Sequence, residues 1–142
     1  HVVIKFHPNQ DLNVLKYIYS DNISNTNIIL MDKDDDSESL IAKSDLIIGV
    51  YSNVLLESIY YFDKRVIVVD EQNILSFGCD FSKYKIAEKC ILGRNLQEKI
   101  EFYMQNKHQE TLLDKNRREF IKKNVYLYDE NIFNSFFENI DK

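Results

Sequence analysis

Short apolar runs recur along the chain and alternate with stretches of helical periodicity. The runs are VVIKF (2–6), NIIL (27–30), DLIIGV (45–50), RVIVV (65–69) and, more weakly, KCIL (89–92). Because they are continuously apolar rather than alternating, they predict strands covered on both faces, as in a parallel sheet. Helical stripes over 12–19, 37–44 and 53–61 separate them. The alternation predicts an α/β fold, a Rossmann-like open parallel sheet of about five strands with helices on both faces.

Only helical patterns follow the last of these runs. Their apolar positions are Leu96, Ile100, Tyr103 and Met104 in the first stripe, Leu112, Leu113, Phe120 and Ile121 in the second, and Ile132, Phe133, Phe136, Phe137 and Ile140 in the third. An apolar stripe at this spacing usually faces a core, so these side chains are predicted to be buried. The chain is interpreted as a single Rossmann-like domain, with an α/β core over 1–95 and a helical tail over 96–142.

Composition narrows the classes of protein that remain. With 44% hydrophobic residues, 142 residues can bury a core, and a formal net charge of −5 argues against a nucleic-acid or anionic-membrane surface. Two cysteines, Cys79 and Cys90, lack the spacing of zinc ligands, which indicates a reduced, cytoplasmic protein. No apolar run approaches the roughly 18 residues of a spanning helix. His1 leads straight into an apolar run without an initiator Met, so the chain is expected to be a fragment.

The acidic run DKDDDSE (32–38) has two interpretations. Carboxylate clusters can bind metal ions, whereas carboxylates that precede a helix also favour its positive N-terminal end. A solvated loop is the preferred interpretation, so no metal site is predicted.

Polar residues suited to chemistry stand at the end of the first run, in KFHPN (5–9). Pro8, the only proline, cannot donate to a sheet ladder, so the strand is expected to end at His7. Ligands of α/β proteins bind at the carboxyl ends of strands. Histidine can donate to a phosphate or protonate a leaving group near neutral pH, and Lys5, on the same strand face, would add positive charge. A structural turn histidine is the equally weighted alternative.

A second polar group lies at the end of the third run, where Gly49 allows a close approach and Ser52 is a good helix N-cap. Asn53 would open the first helical turn, whose backbone N–H groups attract anions such as a diphosphate or a phosphodiester. Glu57 lies four residues further along the same helix face and could accept hydrogen bonds from ribose hydroxyls. Its apolar neighbours predict that it is partly buried. Capping by Ser52 alone, with an exposed Glu57, is the structural alternative.

Taken together, the two groups resemble the C-terminal, donor-binding half of GT-B fold glycosyltransferases. The likeness is greatest to bacterial enzymes of capsule, lipopolysaccharide and teichoic-acid synthesis. Such families share a strand-ending K-x-H-P, here Lys5 to Pro8, and a stretch similar to aDxxIGxYSxxLxE, here Ser44 to Glu57. Many relatives have two hydroxyl residues where this chain has Ser52 followed by Asn53, a departure that bears on the nucleotide base.

The resemblance implies a glycosyltransferase or glycerophosphotransferase that makes bacterial surface polysaccharide from a nucleotide-sugar or CMP/CDP-activated donor. The nucleotide and its phosphates would be bound by Lys5, His7, Tyr51, Ser52, Asn53 and Glu57. His7 would be catalytic, and no metal or cofactor would be needed beyond the donor, which is a substrate. A glycan or lipid-linked acceptor would bind a missing N-terminal domain, so this fragment alone would be inactive. The enzyme would be cytoplasmic and bind no nucleic acid. Its full-length form could associate peripherally with the inner membrane.

Two other functions remain open. One is a UDP-N-acetylglucosamine 2-epimerase-like enzyme of the same fold, which would turn over its sugar nucleotide without an acceptor. The other is a non-catalytic doubly wound signalling or interaction module, such as a phospho-receiver domain. A receiver needs acidic residues at the end of its first strand, where this chain has Lys5 and His7.

Overall fold

A computed structural model describes residues 1–7, 13, 27–31, 35–50, 52–69, 84–91 and 94–124. The helices and strands of this described part are, in chain order, β1 (Val2–Lys5), β2 (Ile28–Met31), α1 (Ser37–Lys43), β3 (Leu46–Gly49), α2 (Asn53–Tyr60), β4 (Arg65–Val69), β5 (Glu88–Cys90), α3 (Leu96–Gln105) and α4 (Leu112–Asn124). Each of the predicted apolar runs forms a strand, with ends that differ by at most a few residues. The helices predicted over 12–19 and 132–140 lie outside the described residues, apart from Asn13.

The strands pair in parallel throughout the described part of the chain. β1 pairs with β2 in a two-stranded sheet, and β3, β4 and β5 pair in that order in a three-stranded sheet. The predicted α/β class with parallel strands is confirmed, although the strands are divided between two small sheets. By its contacts the chain forms two compact units, residues 1–38 and 39–142.

The core of the second unit is built on β4, whose residues from Val66 to Val69 are buried on both faces. On one face, Val66 and Val68 pack with α2 and with the later part of α4. On the other, Ile67 and Val69 pack with α3 and with the start of α4. Helices therefore cover both faces of the three-stranded sheet, which is why its strands are apolar without alternation.

The burial predicted for the helical stripes is correct only in part. In α3, Tyr103 is buried, but Met104 is 44% exposed, and in α4 Leu112 is 71% exposed. Met104 and Leu112 each lie one residue, or about 100° of helix, from the inward positions of Tyr103 and Leu113. The prediction that these two side chains face the core was wrong because the helices contact the sheet along narrower strips than the apolar pattern suggested.

Arg65 and Asp114 form a buried ion pair between the start of β4 and the first turn of α4. Arg65 Nε and Nη2 donate to the Asp114 oxygens at 3.0 and 2.7 Å. The Arg65 guanidinium also donates to the backbone carbonyls of Asn106 and Gln109, at 3.1 and 2.6 Å, in the loop between α3 and α4. A buried charge pair holds only when its remaining donors are also satisfied, and here the loop carbonyls satisfy them.

Asp114 also caps α4. The Thr111 backbone N–H and hydroxyl both donate to Asp114 Oδ2 at 2.8 Å, and the Asp114 N–H donates back to the Thr111 hydroxyl at 3.2 Å. This reciprocal pattern is a capping box, and TLLD (111–114) carries its sequence signature. The Asp114 carboxylate thus takes part in capping α4 and also fixes α4 to the sheet.

A further pair of arginines ties α4 to the turn between α2 and β4. Arg117, which is buried, donates from Nε to Asp63 Oδ1 at 2.7 Å, and Arg118 donates to Asp63 Oδ2 at 3.0 Å. Asp63 has a positive φ of 48°, a region that Asp tolerates better than most residues. The carboxylate is therefore held at the turn where both guanidiniums can reach it.

We expect Asp114→Asn to lower the free energy of unfolding by about 3 kcal/mol, because it leaves the buried Arg65 charge without a counterion. Urea unfolding measures the difference. Glu119→Gln is the matched control, since Glu119 is exposed and pairs with Lys123 at 3.9 Å, and it should change stability by no more than about 0.5 kcal/mol. Equal effects of the two substitutions would contradict a structural role for the pair.

The Arg65–Asp114 pair should also make the free energy of unfolding depend on pH. Burial by itself raises the pKa of the Asp114 carboxyl, but hydrogen bonds from Arg65 and Thr111 and the charge of Arg117 outweigh burial and hold the pKa well below its usual range. A carboxyl whose pKa is lowered by folding stabilises the protein above its unfolded pKa of about 3.9 and loses that contribution as the pH falls below it. The stability difference between wild type and Asp114→Asn should therefore shrink between pH 5 and 2, as urea unfolding at several pH values would measure.

Candidate functional site

The junction of β3 and α2 forms a capped helix N-terminus. Ser52 is in an extended conformation, with φ −164° and ψ 142°, and its hydroxyl oxygen accepts from the Val54 N–H at 3.2 Å. The Ser52 carbonyl accepts the first helical hydrogen bond, from the Leu55 N–H at 3.0 Å. The capping predicted for Ser52 is therefore present, and its hydroxyl proton remains available as a donor, because a hydroxyl can accept and donate at once.

Gly49 ends β3 directly beneath this helix. A Cβ atom at Gly49 would lie 3.0 Å from Leu55 Cδ2, which is closer than side chains normally approach. Leu55 itself is buried against β4. The close approach that the sequence predicted at Gly49 is thus made by Leu55, and packing accounts for the glycine.

Asn53 and Glu57 lie one turn apart on the face of α2 that is less covered. Asn53 is exposed at the first helical position, whereas Glu57 is half-buried, as predicted. Within the described part of the chain the Glu57 carboxylate makes no hydrogen bond or ion pair. A half-buried carboxylate favours a hydrogen-bonding partner, so this arrangement suits a ligand that brings hydroxyl or amino donors to Glu57.

Ser58 belongs to the same polar stretch but faces the core. It is fully buried, and its hydroxyl donates to the Val54 carbonyl at 2.6 Å, four residues back in α2. Ser58 is therefore satisfied within the helix. Position alone distinguishes Ser58 from Ser52, because one lies inside the helix and the other at its cap.

Lys5 and His7 lie at the end of β1, in the first compact unit. The strand ends at Lys5, so the prediction that it runs to His7 was wrong. Lys5 is half-buried, Phe6 is buried, and His7 is exposed just beyond the strand.

Other predicted site features are only partly visible. Tyr51 and Pro8 lie outside the described residues. In the acidic run, Asp36 accepts from the Glu38 N–H at 3.0 Å, which agrees with carboxylates that serve the start of α1. Within the described ranges, no three His, Cys, Asp or Glu side chains lie close enough together to hold a metal ion.

The part of the site that the structure assembles is therefore Ser52, Asn53 and Glu57 on one helix. The first turn of α2 offers backbone N–H groups and the positive end of the helix dipole, which favour a phosphate. The carboxylate one turn deeper favours a hydroxyl group. An anionic group next to a polyol is the chemistry of a nucleotide.

A family model described as alpha-2,8-polysialyltransferase (POLYST) matches residues 1–71, which is half of the chain. The chain belongs to the alpha-2,8-polysialyltransferase family. The predicted glycosyltransferase activity is confirmed at this level, and the matched range contains every residue predicted for the site. No curated protein and no solved structure matches the chain. Among the described residues of this polysialyltransferase-family chain, the helices are too short or too polar to cross a membrane.

The capping role of Ser52 can be separated from a role toward a ligand. Ser52→Ala should lower the free energy of unfolding by about 1 kcal/mol, because alanine cannot cap α2, whereas Ser52→Gly should lower it by only a few tenths. Thermal and urea unfolding of both variants would measure this. An unchanged free energy of unfolding in Ser52→Ala would show that the cap contributes nothing, and would leave Ser52 without its structural role.

Proposed function

We propose that this chain binds the nucleotide-activated sugar donor in a glycosyltransferase that makes bacterial capsule polysaccharide. The observation that carries the proposal is the capped N-terminus of α2 with the half-buried Glu57 one turn deeper, within the range that the polysialyltransferase model matches. The capped helix alone would not support the proposal, because helix caps are common. The family match alone would not support it either, because the match assigns no role to any residue. Together they support a phosphate near the start of α2 and a ribose near Glu57.

The phosphate of the donor would lie at the first turn of α2. There the Ser52 hydroxyl and backbone N–H groups near Asn53 donate to its oxygens, aided by the helix dipole. Tyr51 and Lys5 are proposed as further phosphate ligands on the family resemblance alone. In this proposal the helix N-terminus stabilises the negative charge of the phosphate, as a metal ion does in other transferases, so no cofactor is required.

The donor proposed is CMP-sialic acid, the nucleotide sugar that a polysialyltransferase would use. Glu57 would accept hydrogen bonds from the ribose hydroxyls. Asn53, which stands where many similar enzymes have a second hydroxyl residue, can still donate through its amide to a phosphate oxygen. The departure at Asn53 is therefore compatible with a cytidine nucleotide.

His7 is proposed as the catalytic residue. When the bond between the sugar and the nucleotide breaks, negative charge develops on the departing phosphate, and a positioned imidazole can donate a proton to it or stabilise it. The electron pair of the broken bond stays on the phosphate oxygen. A hydroxyl oxygen of the acceptor forms the new bond to the sugar carbon. Activation of that hydroxyl is assigned to another part of the enzyme.

We further propose that residues 1–142 correspond to the C-terminal, donor-binding half of a GT-B enzyme. On this proposal a separate N-terminal domain binds the glycan or lipid-linked acceptor, and the isolated half does not catalyse transfer. The full-length enzyme would be cytoplasmic and reach its acceptor at the inner face of the membrane.

Isothermal titration of the full-length protein with CMP, CDP and UDP tests the donor site. CMP should bind most tightly, and Ser52→Gly should weaken it roughly tenfold or more, since one hydrogen bond to a charged phosphate is lost while the helix keeps its stability. Glu57→Gln should reduce the preference for CMP over 2′,3′-dideoxy-CMP. His7→Ala should lower the transfer rate more than it weakens CMP binding.

Glu119→Gln serves as the control for Glu57→Gln, because Glu119 is an exposed glutamate on α4, outside the proposed site. Unchanged CMP affinity in both Ser52→Gly and His7→Ala, together with unchanged ribose preference in Glu57→Gln, would remove the site assignment. Turnover of UDP-N-acetylglucosamine without an acceptor would favour the epimerase function instead. Failure to bind any nucleotide would favour a signalling or interaction module.

A further inference from the structure

Two of the first three backbone N–H groups of α2 already serve the helix cap. The Val54 N–H donates to the Ser52 hydroxyl oxygen at 3.2 Å, and the Leu55 N–H donates to the Ser52 carbonyl at 3.0 Å. The Asn53 N–H makes no hydrogen bond to any described residue. A phosphate at the start of α2 would therefore depend on the Asn53 N–H for a backbone contact from this turn.

The Asn53 N–H is linked, through two peptide groups, to the hydroxyl of Ser58. The Ser58 hydroxyl donates to the Val54 carbonyl at 2.6 Å. That carbonyl shares its peptide group with the Leu55 N–H, which donates to the Ser52 carbonyl. The Ser52 carbonyl in turn shares its peptide group with the Asn53 N–H. Each group in this row donates toward the N-terminus of α2.

We propose that Ser58 is a positioning residue of the donor site, whose hydroxyl orients the first turn of α2 and strengthens the Asn53 N–H as a donor to the phosphate. This inference rests on the proposed function, which places the phosphate at that turn. Ser58 does not touch the phosphate itself, because it is fully buried on the core side of the helix.

The physical basis is the cooperativity of linked hydrogen bonds. A donor to a carbonyl polarises its peptide group, and the N–H of that group then becomes a stronger donor, by about 10–30% for each bond in the row. The effect is greatest where water is excluded, as it is around the Ser58 side chain. A serine that bonds to the carbonyl four residues back also bends a helix slightly, so the bond affects the direction of the first turn as well.

Packing and helix stability do not account for the Ser58 hydroxyl. Its buried neighbours in α2, Leu55 and Ile59, are apolar, and alanine is a better helix former than serine. The Val54 carbonyl is the ordinary helical acceptor of the Ser58 N–H, so it would keep a partner without the hydroxyl. Ser58→Ala should therefore leave no buried polar group unpaired.

Ser44 provides a matched control, because it makes the same kind of bond at another helix. Its hydroxyl donates to the Leu40 carbonyl, four residues back, at 2.7 Å. Leu40 lies in α1, where no ligand is proposed. Ser44→Ala removes an equivalent hydrogen bond and should leave the donor site unchanged.

Nuclear magnetic resonance of the full-length protein measures the Asn53 N–H without any ligand. Selective ¹⁵N labelling of asparagine and valine gives the amide signals of Asn53 and Val54, which Asn53→Gln and Val54→Ile identify by their loss. In Ser58→Ala the Asn53 amide proton should move upfield, because a less polarised N–H is less deshielded. The Val54 signal should stay, since its peptide group is not part of the row. Ser44→Ala should move neither signal.

Isothermal titration with CMP measures the consequence for the ligand. Ser58→Ala should weaken CMP binding by about two- to threefold, the share of one hydrogen bond to a charged group that linked bonds contribute. Its free energy of unfolding should not fall, whereas a purely structural role of the hydroxyl would lower it. Ser58→Cys, whose thiol is a weaker donor, should give intermediate values in both measurements and replaces Ser58→Ala if that variant does not fold.

The proposal requires both the shift of the Asn53 signal and the loss of CMP affinity. An unchanged Asn53 signal, an equal shift of the Val54 signal, unchanged CMP affinity, or an equal loss of affinity in Ser44→Ala would each overturn it. CMP binding by the wild type with an unchanged Asn53 signal would remove the role of Ser58 and leave the donor site standing. Failure of the wild type to bind CMP would remove the donor site and the role of Ser58 together.

Discussion

The second compact unit depends on the buried pair between Arg65 and Asp114. Arg65 is the first residue of β4, the central strand of the three-stranded sheet, and Asp114 lies in the first turn of α4. Asp114 is 2% exposed, its two oxygens accept from Arg65 and Thr111, and it forms an ion pair with Arg117 at 2.9 Å. A carboxylate with so many donors remains ionised at any ordinary pH, and it fixes α4 to the sheet.

The same guanidinium also contacts α3, which packs on the same face of the sheet as the start of α4. Arg65 lies over the Tyr103 ring at 5.4 Å, and the Tyr103 hydroxyl donates to Glu88 Oε2 at 3.3 Å, while Lys99 pairs with the same carboxylate. Burial, and secondarily the Glu88 charge, raise the pKa of Tyr103, so it stays a neutral donor. These contacts lie at the amino end of β4 and β5, whereas Ser52 and Asn53 lie beyond the carboxyl end of β3. Ionic contacts that hold the fold are thus separated from the groups proposed to bind the donor.

The sequence predicted most of the fold, because strands buried on both faces have an unmistakable continuous apolar pattern. It predicted the Ser52 cap and the half-burial of Glu57 for the same reason, since both follow from local spacing. It could not predict the partners of Arg65, which lie 41 to 49 positions away along the chain. The capping box at Thr111 was readable in TLLD, but nothing local indicates that its carboxylate also binds β4. Met104 and Leu112 were predicted to be buried but are exposed. The helical period shows which side of a helix is apolar, but it does not show how wide the buried strip is.

The contact between Gly49 and Leu55 has a consequence for how this helix can change by mutation. A Cβ atom at Gly49 would lie 3.0 Å from Leu55 Cδ2, so a larger residue at Gly49 requires the Leu55 side chain to shift within the core. Asn53 and Glu57 carry no such constraint, because neither fills space in the core. Substitutions at Asn53 and Glu57 can therefore change the polar groups near the start of α2 without disturbing the packing of Leu55 against β4.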